Sequence, residues 1–208
     1  MTAQTPQPRL EKTGSIAAFV NAFTAGASLL VAVAFIGLGA LSDPQQLAAL
    51  AVANPMPLIV QDLLKFVSAA TASILIVVLW KRLRGAAPTL LRVATGFGFL
   101  AVGLLLVNAV LSIFAVSQAA RFSASDANTA NTLNGIIGLL GLAVIVANGV
   151  WYLLVNWAAL KSGLLPRGLC WLGLVVGAAS LVPFLALGVL ILGAVWAVWL
   201  GIFLWRAK

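Results

Sequence analysis

Asp62 and Lys65 are the two charged residues that fall well inside an apolar stretch of this 208-residue chain. Three positions apart, they lie on neighbouring faces of a helix, close enough to pair. On a straight helix counted from Pro57 they sit about 8 and 12 Å into the stretch. A charge at the centre of a bilayer costs at least about 2.5–3.5 kcal/mol, so such residues usually face a bundle interior or water and often serve function. Two readings follow. In one, the pair lies near the membrane surface and Lys65 snorkels to the headgroups. In the other, it belongs to a buried polar site that handles a proton, an ion or a polar headgroup, with Asp62 as its titratable carboxylate.

Uncharged polar residues extend the pattern. Asn108 falls about 14 Å below the same surface, near the depth of Lys65. Asn148, Tyr152 and Asn156 are spaced by four and share one helix face. Asn21 and Asn156 match in depth near the opposite surface. Asp62, Lys65, Asn108, Asn148 and Tyr152 are the candidate ligand-binding residues, lining a polar seam through the first four apolar stretches. The alternative is that each amide makes an ordinary interhelical hydrogen bond, worth about 0.6 kcal/mol on average.

Other chemistries lack parts. The chain has no histidine and one cysteine, Cys170. The commonest haem and zinc ligand and the usual near-neutral acid–base group are therefore missing, and no internal disulfide can form. The four acidic residues are Glu11, Asp43, Asp62 and Asp126, and three of them fall in loops or the tail. No metal, no cofactor and no catalytic constellation is expected, so the chain is read as not an enzyme.

The elements that must position these residues are six apolar blocks, at about 15–41, 57–80, 93–117, 132–159, 168–185 and 187–205. A bilayer core about 30 Å thick needs about 20 apolar residues in a helix. Hydrophobic residues make up 63% of the chain and charged residues 8%, too few to cover a soluble surface. The fold class is all-α, a polytopic transmembrane bundle of six helices. Residues 1–14 are expected to be a disordered cytoplasmic tail, and 15–208 the transmembrane domain. The first block is far longer than the apolar core of a signal peptide and reads as an uncleaved span. Block 168–205 suits two short crossings, with Pro183 offering the turn.

Charge sets the orientation. Arg9, Lys12, Lys81, Arg82, Arg84, Arg92, Lys161, Arg167, Arg206 and Lys208 fall on one side of these six spans, and Arg121 alone on the other. This positive-inside pattern places both termini in the cytoplasm of a plasma (inner) membrane. Trp80, Trp157, Trp171 and Trp205 fall at the same ends, where indole rings prefer the headgroup level. The net charge of +8 is thus explained by topology and by attraction to anionic lipid headgroups. Nucleic acid is not expected as a partner, because no stacking platform accompanies the charge.

Between the first two spans, Ser42-Asp43-Pro44 signals a helix start with proline at the first position. Gln45–Ala53 is expected to form a short helix on the membrane surface, ended by Asn54-Pro55-Met56-Pro57. Gly135, Gly138 and Gly141 in the fourth block and the GxxxG pair Gly173 and Gly177 in the fifth suit close helix packing within the bundle, with an oligomer interface as the alternative reading.

The run Lys161-Ser162-Gly163-Leu164-Leu165-Pro166-Arg167 followed by Cys170-Trp171-Leu172-Gly173-Leu174, with Gln61-Asp62-Leu63 early in the second span, resembles a bacterial membrane family, the domain of unknown function 4386. The resemblance implies a six-helix fold and no particular activity. That family often carries aromatic or histidine residues in its fourth span, where this chain has Asn148, Trp151 and Tyr152. The expected function is binding or transport of a small polar or lipid-like ligand through a site among the first four spans. The alternative is a non-catalytic accessory or structural subunit packed against a membrane-protein partner.

Overall fold

The computed structural model describes residues 8–37, 39, 43–121 and 127–206. Among them all regular structure is helical. Helix α1 (Pro8–Leu30) continues as a π-helical segment, Val31–Ile36, and α2 is the short helix Pro44–Ala53. The long helices α3 (Met56–Leu83), α4 (Pro88–Ser117) and α5 (Ala127–Ser162) follow. Then come α6 (Arg167–Ala179), a 3-10 turn at Pro183–Leu185, and α7 (Ala186–Arg206). Five helical stretches are long and apolar enough to cross a membrane, and α6 is a shorter apolar helix. The chain is a membrane-type helical bundle.

Local sequence accounts for the ends. Asp43 caps α2: its carboxylate accepts from the backbone N–H of Gln45 at 2.9 Å, ahead of Pro44 at the first position. The expected short helix is therefore present. Gly37 ends the π-helical segment at φ +85°, and Gly163 ends α5 at φ +66°, a backbone region that glycine enters without steric cost. Pro88 is the first residue of α4 and Pro166 the residue just before α6, positions where a missing N–H costs nothing.

The helices pack in chain order, α1 on α3, α3 on α4, α4 on α5, α5 on α6 and α6 on α7, and α7 closes the ring against α1. Ser15 donates to the carbonyl of Gly201 at 2.7 Å, and Gly14 faces Leu204. So α1 and α7 run antiparallel, and the start of α1 and the end of α7 share one end of the bundle. The middle is filled by aromatic rings. Trp151 and Tyr152 of α5 stand edge-on to Trp196 of α7, with ring centres 6.0 and 4.9 Å away. A Cβ on Gly98 of α4 would lie 2.8 Å from both Trp151 and Ile76. Glycine lets α4 approach this plug without displacing either side chain.

Three expectations are revised. Helix α1 begins at Pro8, so residues 8–14 are helical; Glu11 is buried and pairs with Arg82 at the far end of α3. Residues 1–7, the rest of the expected tail, lie outside the described residues. Helix α6 stops at Ala179 instead of running to 185, because Pro183, which lacks an N–H, cannot continue the hydrogen-bond ladder. Gly135 and Gly138 do not pack within the bundle: nothing lies within 4 Å of a Cβ at either, since this face of α5 is exposed. Gly141 meets only Asn108 Nδ2, at 3.8 Å. Gly173 and Gly177 do pack as expected, onto Asn156, Leu153 and the carbonyl of Gly149 in α5.

Candidate ligand site at the α2 end of the bundle

Helix α3 carries polar residues every third position: Asp62, Lys65, Ser68 and Thr71. Three residues advance a helix by about 300°, so the row turns by about 60° per step. Its start therefore faces α4 and α5, and its end faces α1.

At the start, Lys65 Nζ sits 2.6 Å from Asp62 Oδ1 and donates to Asn108 Oδ1 of α4 at 2.8 Å. Asn108 Nδ2 in turn donates to the Ile137 carbonyl of α5 at 2.7 Å. One hydrogen-bonded chain thus ties three helices. Asp62 is 1% exposed, while the Lys65 side chain keeps 23%, so the acid is interior and the ammonium lies at the edge. Asp62 Oδ2 and the neighbouring Gln61 Oε1 are buried with no protein donor among the described residues. A buried acceptor left unpaired costs about 1–3 kcal/mol, so the site suits a donor group.

At the end of the row, Ser68 donates to Thr24 Oγ1 at 3.0 Å, and Asn21 Nδ2 donates to Thr71 Oγ1 at 3.0 Å. These bonds join α3 to α1. A third polar group sits across the ring. Asn156 accepts from Trp196 Nε1 at 3.1 Å and donates to the Tyr152 carbonyl at 2.8 Å.

The expected seam is therefore three separate clusters. Asp62, Lys65 and Asn108 come together. Tyr152 belongs to the aromatic plug with Trp151 and Trp196, and Asn148 is half-buried on α5. Asn21 and Asn156, matched in depth, serve different interfaces. Ser68, Thr24 and Thr71 were not singled out from sequence; the three-residue repeat running on from Asp62 is the signal that marks two of them.

A cavity of about 390 Å³ lies at the α2 end, between α2, the start of α3, the end of α4 and the first turns of α5. Its walls are mostly apolar, among them Leu47, Val52, Leu58, Val116 and Ile137, with Gln45, Ser112, Asn131 and Asn134 as the polar groups. Among the described residues no lining side chain is charged. None of the five expected ligand residues lines it, because the Asp62 cluster sits one turn deeper. Leu58 is one turn before Asp62, Ser112 one turn after Asn108, and Ile137 supplies the carbonyl that Asn108 holds. Helix α5, 36 residues and about 54 Å long at 1.5 Å per residue, exceeds a bilayer core. Its first turns are free to wall this cavity.

At the opposite end, Arg82 binds Glu11 and lies 5.0 Å over the Phe203 ring, joining α3 to α1 and α7. Trp157, Trp171 and Trp205 are exposed at this end, and Lys161 lies 5.1 Å over the Trp157 ring.

A family model described as a domain of unknown function (DUF4386) matches residues 24–206. No curated protein and no solved structure matches the chain.

Proposed function

The chain belongs to the DUF4386 family, and on that premise we propose that it is a membrane protein of six crossings, both termini cytoplasmic, whose α2-roofed cavity binds a small neutral amphiphile. The antiparallel pairing of α1 with α7 supports an even number of crossings, with α6 and the turn after it counted as part of the sixth. The basic residues at the chain-terminal end support a cytoplasmic assignment for that end. The inner membrane is the corresponding location.

The observation that carries the ligand reading is the cavity itself. Its volume lies in the range of small-molecule sites, and an apolar wall with a few placed polar groups is their usual character. The described wall carries no charge, which favours a neutral ligand, because a charge beside it would lack a counter-charge in a low-dielectric site. Gln45, Asn131 and Asn134 offer both donors and acceptors. One turn deeper, Asp62 Oδ2 and Gln61 Oε1 are acceptors in need of a donor. A lipid-like molecule with one hydroxyl or amide group fits these walls. The reading is of binding: the described wall holds amides and a hydroxyl suited to hold a ligand.

Ala115 and Ala48 line the cavity, and phenylalanine at both positions would fill it. Protein purified in mild detergent is extracted and the extract analysed by mass spectrometry. A neutral amphiphile should be present in the wild type and depleted in Ala48→Phe/Ala115→Phe. Equal recovery from both would overturn the reading.

A further inference from the structure

A second groove lies on the opposite side of the ring from α4 and α5, between α1 and α7, and its described lining is aliphatic and aromatic, including Phe19, Phe23, Val198, Trp199 and Ile202. We propose that it seats one acyl chain of an anionic phospholipid whose phosphate rests between Lys12 and Arg206. This goes beyond the cavity reading and is independent of it.

The placement follows from helix geometry. Lys12, Phe19 and Phe23 fall at steps of seven and four, which keeps them on one face of α1. On α7, Val198, Ile202 and Arg206 repeat every fourth residue along one face. The two helices are held in antiparallel register by Ser15 on Gly201, and a Cβ on Gly201 would meet the Phe19 ring at 3.0 Å. This register brings Lys12 on α1 beside the last turn of α7, where Arg206 lies. The apolar groove ends at Phe19 and Ile202; continued along the same two faces toward the chain-terminal end, it leads to Lys12, about 10 Å beyond Phe19, and to Arg206, about 6 Å beyond Ile202.

Both cations are exposed. Among the described residues the ion pairs are Lys65–Asp62 and Arg82–Glu11, so neither Lys12 nor Arg206 is neutralised by a carboxylate. Trp205, also exposed on the last turn of α7, marks the headgroup level. An apolar channel inside the hydrocarbon, with a cation one to two turns beyond it on each wall, complements one kind of occupant, a lipid with a hydrocarbon tail and a negative head. A zwitterionic lipid would fill the groove equally well but gain less from the cations.

The test uses the full chain in detergent with equal amounts of phosphatidylglycerol and phosphatidylcholine, and native mass spectrometry to count retained lipids. The wild type should retain one phosphatidylglycerol in preference to phosphatidylcholine. Each cation near an anionic surface is worth about fivefold in affinity, so Lys12→Gln/Arg206→Gln should reduce the preference by about twenty-fivefold. Ala194→Phe, which fills the groove with both cations intact, should lower retention of either lipid. Lys81→Gln/Arg84→Gln removes two exposed cations elsewhere on the same end and should cost much less. Equal retention of the two lipids by the wild type would overturn the proposal. So would an equal loss in the Lys81/Arg84 control, which would mean diffuse attraction. A disulfide between two copies carrying Phe23→Cys would also overturn it, by showing that a second protein chain occupies the groove.

Discussion

Lys65 Nζ reaches Asn108 Oδ1 at 2.8 Å across the interface of α3 and α4, while the same ammonium holds Asp62 in its own helix. The cation is thus the hinge pin of the polar cluster. Asp62→Ala leaves Lys65 in a low-dielectric site without its counter-charge. Breaking a buried pair from one side costs about 3–5 kcal/mol, and the partial exposure of Lys65 moves the expected loss to about 3 kcal/mol or less. Asp62→Ala/Lys65→Met removes both charges and should be less damaging than Asp62→Ala alone. Thermal unfolding in detergent of the two single variants and the double one measures this; strictly additive losses would mean that the two residues do not interact.

Asn108→Leu should cost more than the average membrane hydrogen bond, because one side chain serves Lys65 and the Ile137 carbonyl at once. At about 0.6 kcal/mol per bond, with a ceiling of about 1.7, the expected loss is about 1–3 kcal/mol. Ser68→Ala, which removes a single hydroxyl bond to Thr24, should cost about 0.6 kcal/mol. A comparison of melting temperatures that ranked Ser68→Ala as the worse change would contradict the geometry.

The two groups of glycines should respond oppositely to alanine. A Cβ on Gly177 would lie 2.9 Å from the Gly149 carbonyl oxygen and 2.9 Å from the Leu153 nitrogen, both backbone atoms that cannot step aside. Gly177→Ala must push α6 off α5, with a cost of about 1–3 kcal/mol or more. Gly135→Ala and Gly138→Ala meet no atom within 4 Å and should be neutral or stabilising, since alanine favours the helix by about 1 kcal/mol over glycine. Denaturation of the three variants in one detergent separates them, and a severe loss at Gly138 would point to a neighbour outside this chain.

Hydropathy and turn chemistry made most of the helices legible, because bilayer thickness and a proline or glycine at a boundary act locally. Asp43 as the cap of α2 is such a case. Depth along a span was legible too, and it brought Asn108 to Lys65. Depth alone does not specify which way a side chain faces around the ring. Asn21 and Asn156 share a depth, yet Asn21 meets Thr71 and Asn156 meets Trp196. Tyr152 shares a face with Asn156 but turns to the aromatic plug. The closure of α7 on α1 decides these directions, and it arises from contacts far apart in sequence, such as Ser15 with Gly201. The helical start of α1 was hidden for the same reason: the partner of Glu11 is Arg82, 71 positions away. The cavity was not legible because its walls are ordinary alanines, leucines and amides brought together by α2.

The α6–α7 hairpin decides the count of crossings, and Phe184 is the place to test it. Helix α7 has 21 residues, about 31 Å at 1.5 Å per residue, which matches a bilayer core about 30 Å thick. Helix α6 has 13, about 20 Å, and needs the turn at 180–185 to complete a crossing. Phe184 lies in that turn and is 85% exposed. Cys170, the single native thiol, is buried, so the parent protein should give little labelling with a membrane-impermeant maleimide. Cysteines placed at Gln45 and Phe184 should label from one face of the membrane, and cysteines at Gly85 and Lys161 from the other. If Phe184→Cys stayed unlabelled from both faces while Gln45→Cys labelled, the hairpin would end inside the hydrocarbon. The bundle would then have four full crossings and a re-entrant pair, with both chain ends still on one side.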